Sequence, residues 1–435
     1  MNHLITGMLL LVACAVNAGC TTDNKEFVTT SDGHFLAGGK PYYFIGTNYW
    51  YGAIIASDGE YGDRPRLLRE LDHLKEIGVN NLRVLAGAEG PDNEPFRVTP
   101  TLQLAPGEYS EEMLDGLDFL LSEMKKRGQY AILYLNNSWD WSGGYAQYLN
   151  WNGYGPIPYP SVKPNTWPEF ITYAARFHNC EKCKEQFAAH VRFMLGRTNR
   201  YTGLKYTQDP TIMTWEIGNE PRAFSDKNIP AFEKWISEVA ALIRELDPNH
   251  LITTGTEGQH GCEESLEVFE KIHSDKNIDY LTMHIWPKNW GWLDIKDIGS
   301  TIDISIKNTN IYMEDHINVA LRLNKPLVLE EFGLPRDFHG YSPEESTLFR
   351  DRYYSNAFDQ VLENAEHKGV LAGANFWTYA GEGRPVSGQI YWKPGDDYLG
   401  DPPVEEQGLN SVFDTDETIS LIAGYNRKLV SILKQ

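Results

Sequence analysis

From residue 42 onward, short apolar runs rich in β-branched side chains alternate with longer stretches whose apolar positions recur every three or four residues. The short runs read as strands covered on both faces, the longer ones as amphipathic helices. Eight strands are predicted: YYFIGTNYW from Tyr42, NNLRVLA from Asn80, YAILYLN from Tyr130, IMTWEIGNE from Ile212, HLITTGTE from His250, IDYLTMHIW from Ile278, PLVLEEFG from Pro326 and GANFWTYA from Gly373. Between them lie helical patterns such as RPRLLRELDHLKEIG, with Leu67, Leu71, Leu74 and Ile77 on one face and Gly78 as its stop. AFEKWISEVAALIREL and TISLIAGYNRKLVSIL behave likewise, and EEMLDGLDFLLSEMKKRG reads as a solvated amphipathic helix. Eight strand–helix pairs without a composition break predict one α/β domain, a single (β/α)8 TIM barrel. An open doubly wound sheet would carry a glycine-rich dinucleotide fingerprint after its first strand, and none is present.

FVTTSDGHFLAGGKPY, ahead of the first strand, reads as an N-terminal hairpin plugging the bottom of the barrel. Two connections are long, 137–179 after strand three and 381–416 after strand eight. Their Trp, Tyr, Gly and Pro content predicts ordered walls around a cleft. No internal repeat, low-complexity tract or appended binding module is visible.

Residues 1–20 contain one apolar run, Met8 to Val16, followed by small residues, which reads as an export signal too short to remain as a membrane span. Val16-Asn17-Ala18 suits ordinary cleavage, whereas Cys14 after Leu11-Val12-Ala13, or Cys20 after Ala18-Gly19, resembles a bacterial lipoprotein site. The expected location is therefore extracellular, periplasmic or on the cell surface, with a lipid anchor to the membrane as an open alternative. The catalytic domain is expected over 27–435, as a monomer.

Composition narrows the partners. With 39 Lys+Arg against 60 Asp+Glu and a net charge of -21, the chain gains little from neutralising phosphates, which excludes nucleic acid. The 24 Tyr and 12 Trp favour a sugar ligand, because aromatic rings offer flat amphipathic faces. Cys180-Glu-Lys-Cys183 is half of a zinc site without a second pair, and no thioredoxin-like domain surrounds it. A local disulfide is the plainer expectation in an exported chain. His178, His190 and His260 lack a metal-ligand spacing, so no metal and no cofactor are expected.

The C-terminal ends of barrel strands carry the chemistry of this fold. Arg83 falls on strand two, Asn219 and Glu220 end strand four, His284 and Trp286 end strand six, Glu331 ends strand seven, and Trp377 lies near the end of strand eight. Glu216 shares the inward parity of Glu220 one layer deeper and reads as an interior charge paired with Arg83. Two carboxylates across one barrel mouth suit glycoside hydrolysis, with one protonating the leaving oxygen and the other attacking or activating water. Trp139, Trp141, Trp151, Trp290 and Trp292 read equally as sugar platforms or as loop packing.

TWEIGNEPR and LVLEEFG resemble the two catalytic signatures of glycoside hydrolase family 5, the retaining (β/α)8 enzymes, and the likeness covers most of the chain after Phe27. It implies Glu220 as acid/base and Glu331 as nucleophile, with Glu330, of opposite parity, as runner-up. It also implies that Asn219 binds the sugar 2-hydroxyl, that Arg83 partners the nucleophile and that His284 is the strand-six histidine of the family. Trp377 would be the aromatic floor. WEIGNEPR with HIWPKNWGW resembles the β-mannan-degrading branch, with β-mannan or manno-oligosaccharides as substrate and either endo or exo action. Many members carry tyrosine two residues after the strand-six histidine; here Trp286 can only donate from its indole. Three alternatives stay open: a non-catalytic carbohydrate-binding barrel lipoprotein, a hydrolase of β-1,4-glucan with the same fold, and a transglycosylase.

Overall fold

The structure, a computed structural model, describes residues 26–92, 94 and 96–434. The expected export segment, residues 1–20 with Cys14 and Cys20, lies outside the described residues. Eight parallel strands form the barrel: β1 Phe44–Asn48, β2 Asn81–Leu85, β3 Tyr130–Tyr134, β4 Ile212–Glu216, β5 Leu251–Thr253, β6 Leu281–Ile285, β7 Leu327–Phe332 and β8 Leu371–Phe376. Every residue in them is buried, as a sheet filled inside and sheathed outside requires. The ladder runs β5-β4-β3-β2-β1-β8-β7-β6. Bonds from Asp279 N to Ile252 O (2.8 Å) and from His284 N to Glu257 O (3.2 Å) draw its two edges together.

Eight helices cover the barrel: α1 Arg64–Glu76, α2 Glu111–Arg127, α3 Glu181–Gly196, α4 Ile229–Leu246, α5 Leu266–His273, α6 Ile298–Leu323, α7 Leu348–His367 and α8 Glu417–Leu433. In α1 the Asp63 carboxylate accepts from Arg66 N and starts the helix, and Leu67, Leu71 and Leu74 are fully buried. The chain leaves α1 through Gly78 at φ +84°, where a Cβ would sit 2.7 Å from Asn426 Cβ, so only glycine fits. In α2 the apolar face from Met113 to Met124 is buried and the basic last turn 125–127 faces the helix C-terminus. Among the described residues no helix is long and apolar enough to cross a membrane.

The N-terminal plug has one strand more than a hairpin: Val28–Ser31, His34–Ala37 and Lys40–Tyr42 pair antiparallel. Phe35, fully buried, sets its ring 5.1 Å from Tyr280 and 6.4 Å from Phe44, at the N-terminal ends of β6 and β1.

The long connections are walls with structure of their own. After β3 the chain forms two short helices, Gly144–Trp151 and Trp167–Ala174, before Cys180 and Cys183 close a disulfide at the start of α3. After β8, Tyr379–Gly381 pairs with Val412–Phe413. Between them the buried Asp401 carboxylate gathers Gly408 N (3.0 Å), Asn410 N (3.0 Å) and Ser411 Oγ (2.7 Å). A third wall, after β2, contains the hairpin Gln103–Ala105 and Glu108–Tyr109, which the hydrophobic pattern did not reveal. It meets the β8 connection where Phe96 packs edge-on against Tyr391 at 5.4 Å.

Candidate active site

One guanidinium organises the upper barrel interior. Arg83 on β2 is fully buried over the Tyr134 ring, 4.5 Å from its centroid. It donates to Glu216 from Nη2 (2.5 Å) and Nε (2.9 Å), to Asn219 Oδ1 (2.8 Å), to Asn48 Oδ1 (3.0 Å) and to Glu331 Oε1. Glu216 is therefore a paired interior charge, as its inward parity requires. The parity expected for Glu330 needs correcting. Pairing between β6 and β7 shifts register, with Met283 opposite Leu329 and His284 opposite Glu331, so Glu330 is an extra residue in a bulge. Both consecutive carboxylates consequently reach the interior, where Glu330 Oε2 lies 3.8 Å from Arg83 Nε.

Glu220 follows the end of β4 with φ +49°, a left-handed backbone rarely taken by a non-glycine residue. Its N–H bonds Gly255 O at 2.9 Å and its carbonyl accepts from Ser138 Oγ, which holds the unusual turn from two neighbouring loops. Gly255 has to be glycine, because at its φ of +77° a Cβ would stand 2.0 Å from Gly218 O. The Glu220 carboxyl is engaged on both oxygens. His284 Nδ1 is 2.8 Å from Oε1, and Trp139 Nε1 donates to Oε2. His284 Nδ1 also lies 3.5 Å from Glu331 Oε2, so one ring nitrogen stands between the two acids. Trp286 Nε1 donates to Glu331 Oε2 at 3.3 Å, the indole contact foreseen for a tryptophan at this position.

Burial pushes the carboxyls of Glu220 and Glu331 above the usual range, and at Glu331 repulsion from Glu220 adds to it. Two such acids cannot both ionise easily in a dry site. Each acid has a cation favouring its ionised form, Arg83 bonded to Glu331 and Arg222 facing Glu220, while burial keeps His284 between them neutral. One ligand atom each from Glu220, His284 and Glu331 falls within 4.8 Å of the others, a spacing that metal ligands also have. Both carboxylates already accept hydrogen bonds from Arg83, Trp139 or Trp286, and the guanidinium supplies a positive charge there.

Above the pair lies a cavity of about 550 Å³. Asn219, Trp286 and Trp377 line it together with Glu220 and Glu331, whereas Arg83 and His284 act from beneath. Trp377 packs edge-on against Trp286 with centroids 5.8 Å apart. Trp139, Trp141 and Trp290 also line the cavity. Trp151 and Trp292 pack instead against Tyr148 (5.4 Å) and Trp290 (5.0 Å).

The comparisons with known proteins agree with this geometry. Residues 25–434 match the family model described as glycoside hydrolase family 5, β-mannosidase-like. The chain belongs to glycoside hydrolase family 5. A family 5 mannosidase from Rhizomucor miehei is 37% identical and superposes with a TM-score of 0.86 over 94% of this chain and 99% of that one. An endo-β-1,4-mannanase from Thermotoga petrophila is 25% identical, with a TM-score of 0.63 over 90% of this chain and 78% of that one. A putative mannan endo-1,4-β-mannosidase of Oryza sativa is 31% identical over 392 residues, 85% of this chain and 86% of the relative.

As a family 5 glycoside hydrolase the chain is a retaining enzyme, and carboxyl oxygens within 4.8 Å of one another fall with the closely spaced acids of retention rather than the wider ones of inversion. Several residues of this family 5 site were not singled out from the sequence. Arg222 stacks over Trp139 at 5.2 Å and donates to Glu257 Oε2 at 2.5 Å. Glu257 lines the cavity with its carboxyl pushed up to about 7 by burial. Glu405 and Glu406 enter from the β8 connection. Glu257 follows β5 within the predicted run HLITTGTE, so a strand-end reading could have included it; Glu405 and Glu406 sit in a loop with no such register.

Proposed function

We propose that the protein is a retaining exo-acting β-mannosidase that removes mannose from β-1,4-linked manno-oligosaccharides. Glu331 is the nucleophile and Glu220 the acid/base. The observation that carries the pairing of the two acids is the single His284 nitrogen lying 2.8 Å from Glu220 and 3.5 Å from Glu331 beneath a sugar-sized cavity. In the first step Glu331, ionised against Arg83, attacks the anomeric carbon while Glu220 protonates the departing oxygen. In the second, Glu220 takes a proton from water, which displaces Glu331 with net retention. Asn219, fixed by Arg83 and by its own donation to Asn137 Oδ1 at 3.2 Å, is placed to bind the 2-hydroxyl.

Exo action is supported by the walls. Glu406 fastens the β8 connection to the loops after β6 and β7, accepting from Lys288 Nζ (3.2 Å) and Tyr341 Oη (3.0 Å). The whole-chain likeness to the Rhizomucor miehei mannosidase supports it too. A second reading, endo attack, is favoured by the plant relatives named mannan endo-1,4-β-mannosidases, such as one of Solanum lycopersicum at 30% identity. Product profiles on mannohexaose separate the two: mannose alone from the earliest time point fits exo action, and early mannobiose or mannotriose overturns it. Export through residues 1–20 belongs to the same proposal. Palmitate incorporation lost in Cys14→Ala or Cys20→Ala would identify an anchor, and a cytoplasmic protein would refute export.

A further inference from the structure

Below the two acids, two buried atoms have no hydrogen-bond partner, ring Nε2 of His284 and Oε2 of Glu330. They face one another at 3.7 Å. Buried polar atoms are normally paired, so two neighbouring orphans point to a bond between them. We propose that Glu330 is a positioning residue for the acid/base, its carboxyl O–H donating to His284 Nε2 and so keeping the ring N–H on Nδ1, aimed at Glu220. The inference rests on Glu220 being the acid/base.

Charge around the bulge supports it. Glu330 faces Glu216 from β4, whose carboxylate is the competing acceptor for its proton, Arg83 from β2 and Tyr280 just ahead of β6, whose hydroxyl donates to Oε1 at 3.5 Å, and it adjoins Glu331 on its own strand. Arg83 makes its hydrogen bonds to Glu216 and Glu331 and leaves Glu330 at 3.8 Å. Burial and the neighbouring carboxylates then hold Glu330 protonated.

The ring of His284 is buried and faces the positive fields of Arg83 and Arg222, besides Glu220, Glu331 and Glu330, and it stays neutral with one N–H. The partner of the second nitrogen decides which one carries it. With the hydrogen on Nε2, the Nδ1 lone pair would face the ionised Glu331 at 3.5 Å, and Glu220 at 2.8 Å whenever Glu220 has given up its proton, and the Glu330 hydroxyl would have no acceptor on the ring. With the hydrogen on Nδ1, both acids face a donor, and closing the gap to an ordinary length of about 2.9 Å needs only a small side-chain rotation.

Glu330→Gln keeps a donor at the same reach, whereas Glu330→Met fills the space without one. Glu330→Gln is expected to keep the wild-type rate and pH limbs. Glu330→Met is expected to lose about tenfold in kcat/KM on aryl mannosides with poor leaving groups, much less on good ones. Its alkaline limb moves to higher pH, because an N–H donor favours the ionised form of Glu220. Nitrogen-15 shifts of labelled histidine in the wild-type enzyme read the tautomer without any variant, and Nδ1–H is expected at His284. An Nε2–H tautomer, an unchanged Glu330→Met pH profile, or a Glu330→Gln as inactive as Glu331→Gln would each overturn the proposal. Glu220→Ala, measured in parallel, tests the foundation separately: undiminished hydrolysis of poor leaving groups there overturns the acid/base assignment itself.

Discussion

The indole nitrogen of Trp139, carried by the loop after β3, donates to Oε2 of Glu220 beyond the end of β4. One wall of the cavity thus touches the proposed acid/base directly. Because an N–H donor favours a carboxylate over a carboxyl, Trp139→Phe should raise the Glu220 pKa and move the alkaline limb of kcat/KM upward. The rate at the optimum should fall about tenfold, as expected when one charge-assisted hydrogen bond at a reacting group is lost. A pH–rate profile on an aryl mannoside checks both; a limb that stays in place would remove Trp139 from the chemistry.

Arg83 is the cation bonded to Glu216 and Glu331 together. Arg83→Met leaves those acids buried without a counter-charge, so the loss of stability should be about 3–5 kcal/mol, near the upper end for one substitution. In the fraction that folds, Glu331 protonates more readily and the acid limb moves to higher pH. Denaturant unfolding and the pH profile measure the two effects independently.

Away from the site, Glu89 is fully buried, accepts from Gly144 N at 2.9 Å and has its carboxyl pushed up to about 7 by burial. In the unfolded chain it titrates near the ordinary carboxyl value of about 4.3, so between these values the folded state binds the extra proton. Stability from this group is complete below that lower value and is lost as pH rises through about 7. Glu89→Gln keeps the acceptor for Gly144 and should flatten the decline of melting temperature between about pH 5 and pH 8. An equally steep decline would mean that other buried acids dominate it.

Glu406 holds the β8 connection to Lys288 and Tyr341. These contacts are partly solvated, so Glu406→Ala should cost about 1 kcal/mol or less in global stability. Its effect should appear in substrate handling instead, as a higher KM for short oligosaccharides and a broader product profile on mannohexaose. Unchanged KM and products would show that the wall holds its place without Glu406.

The amino-acid sequence determined the barrel and the places where its chemistry collects. Eight apolar runs at strand length, each followed by a helix with a one-sided apolar stripe, leave few other ways to bury both faces of a parallel sheet. Strand ends then placed Arg83, Asn219, Glu220, His284, Trp286, Glu331 and Trp377 in or beneath one mouth, because period-two alternation and the polarity of the barrel are local properties. Tertiary structure alone decided the rest. The bulge that turns Glu330 inward depends on register with β6, which no run of residues on β7 encodes. Trp139, Arg222, Glu257 and the β8 connection meet Glu220 or the cavity through contacts between loops far apart in the chain. Loop positions have no periodic pattern to project them onto a face, so their partners appear only once the barrel has brought its strand ends together.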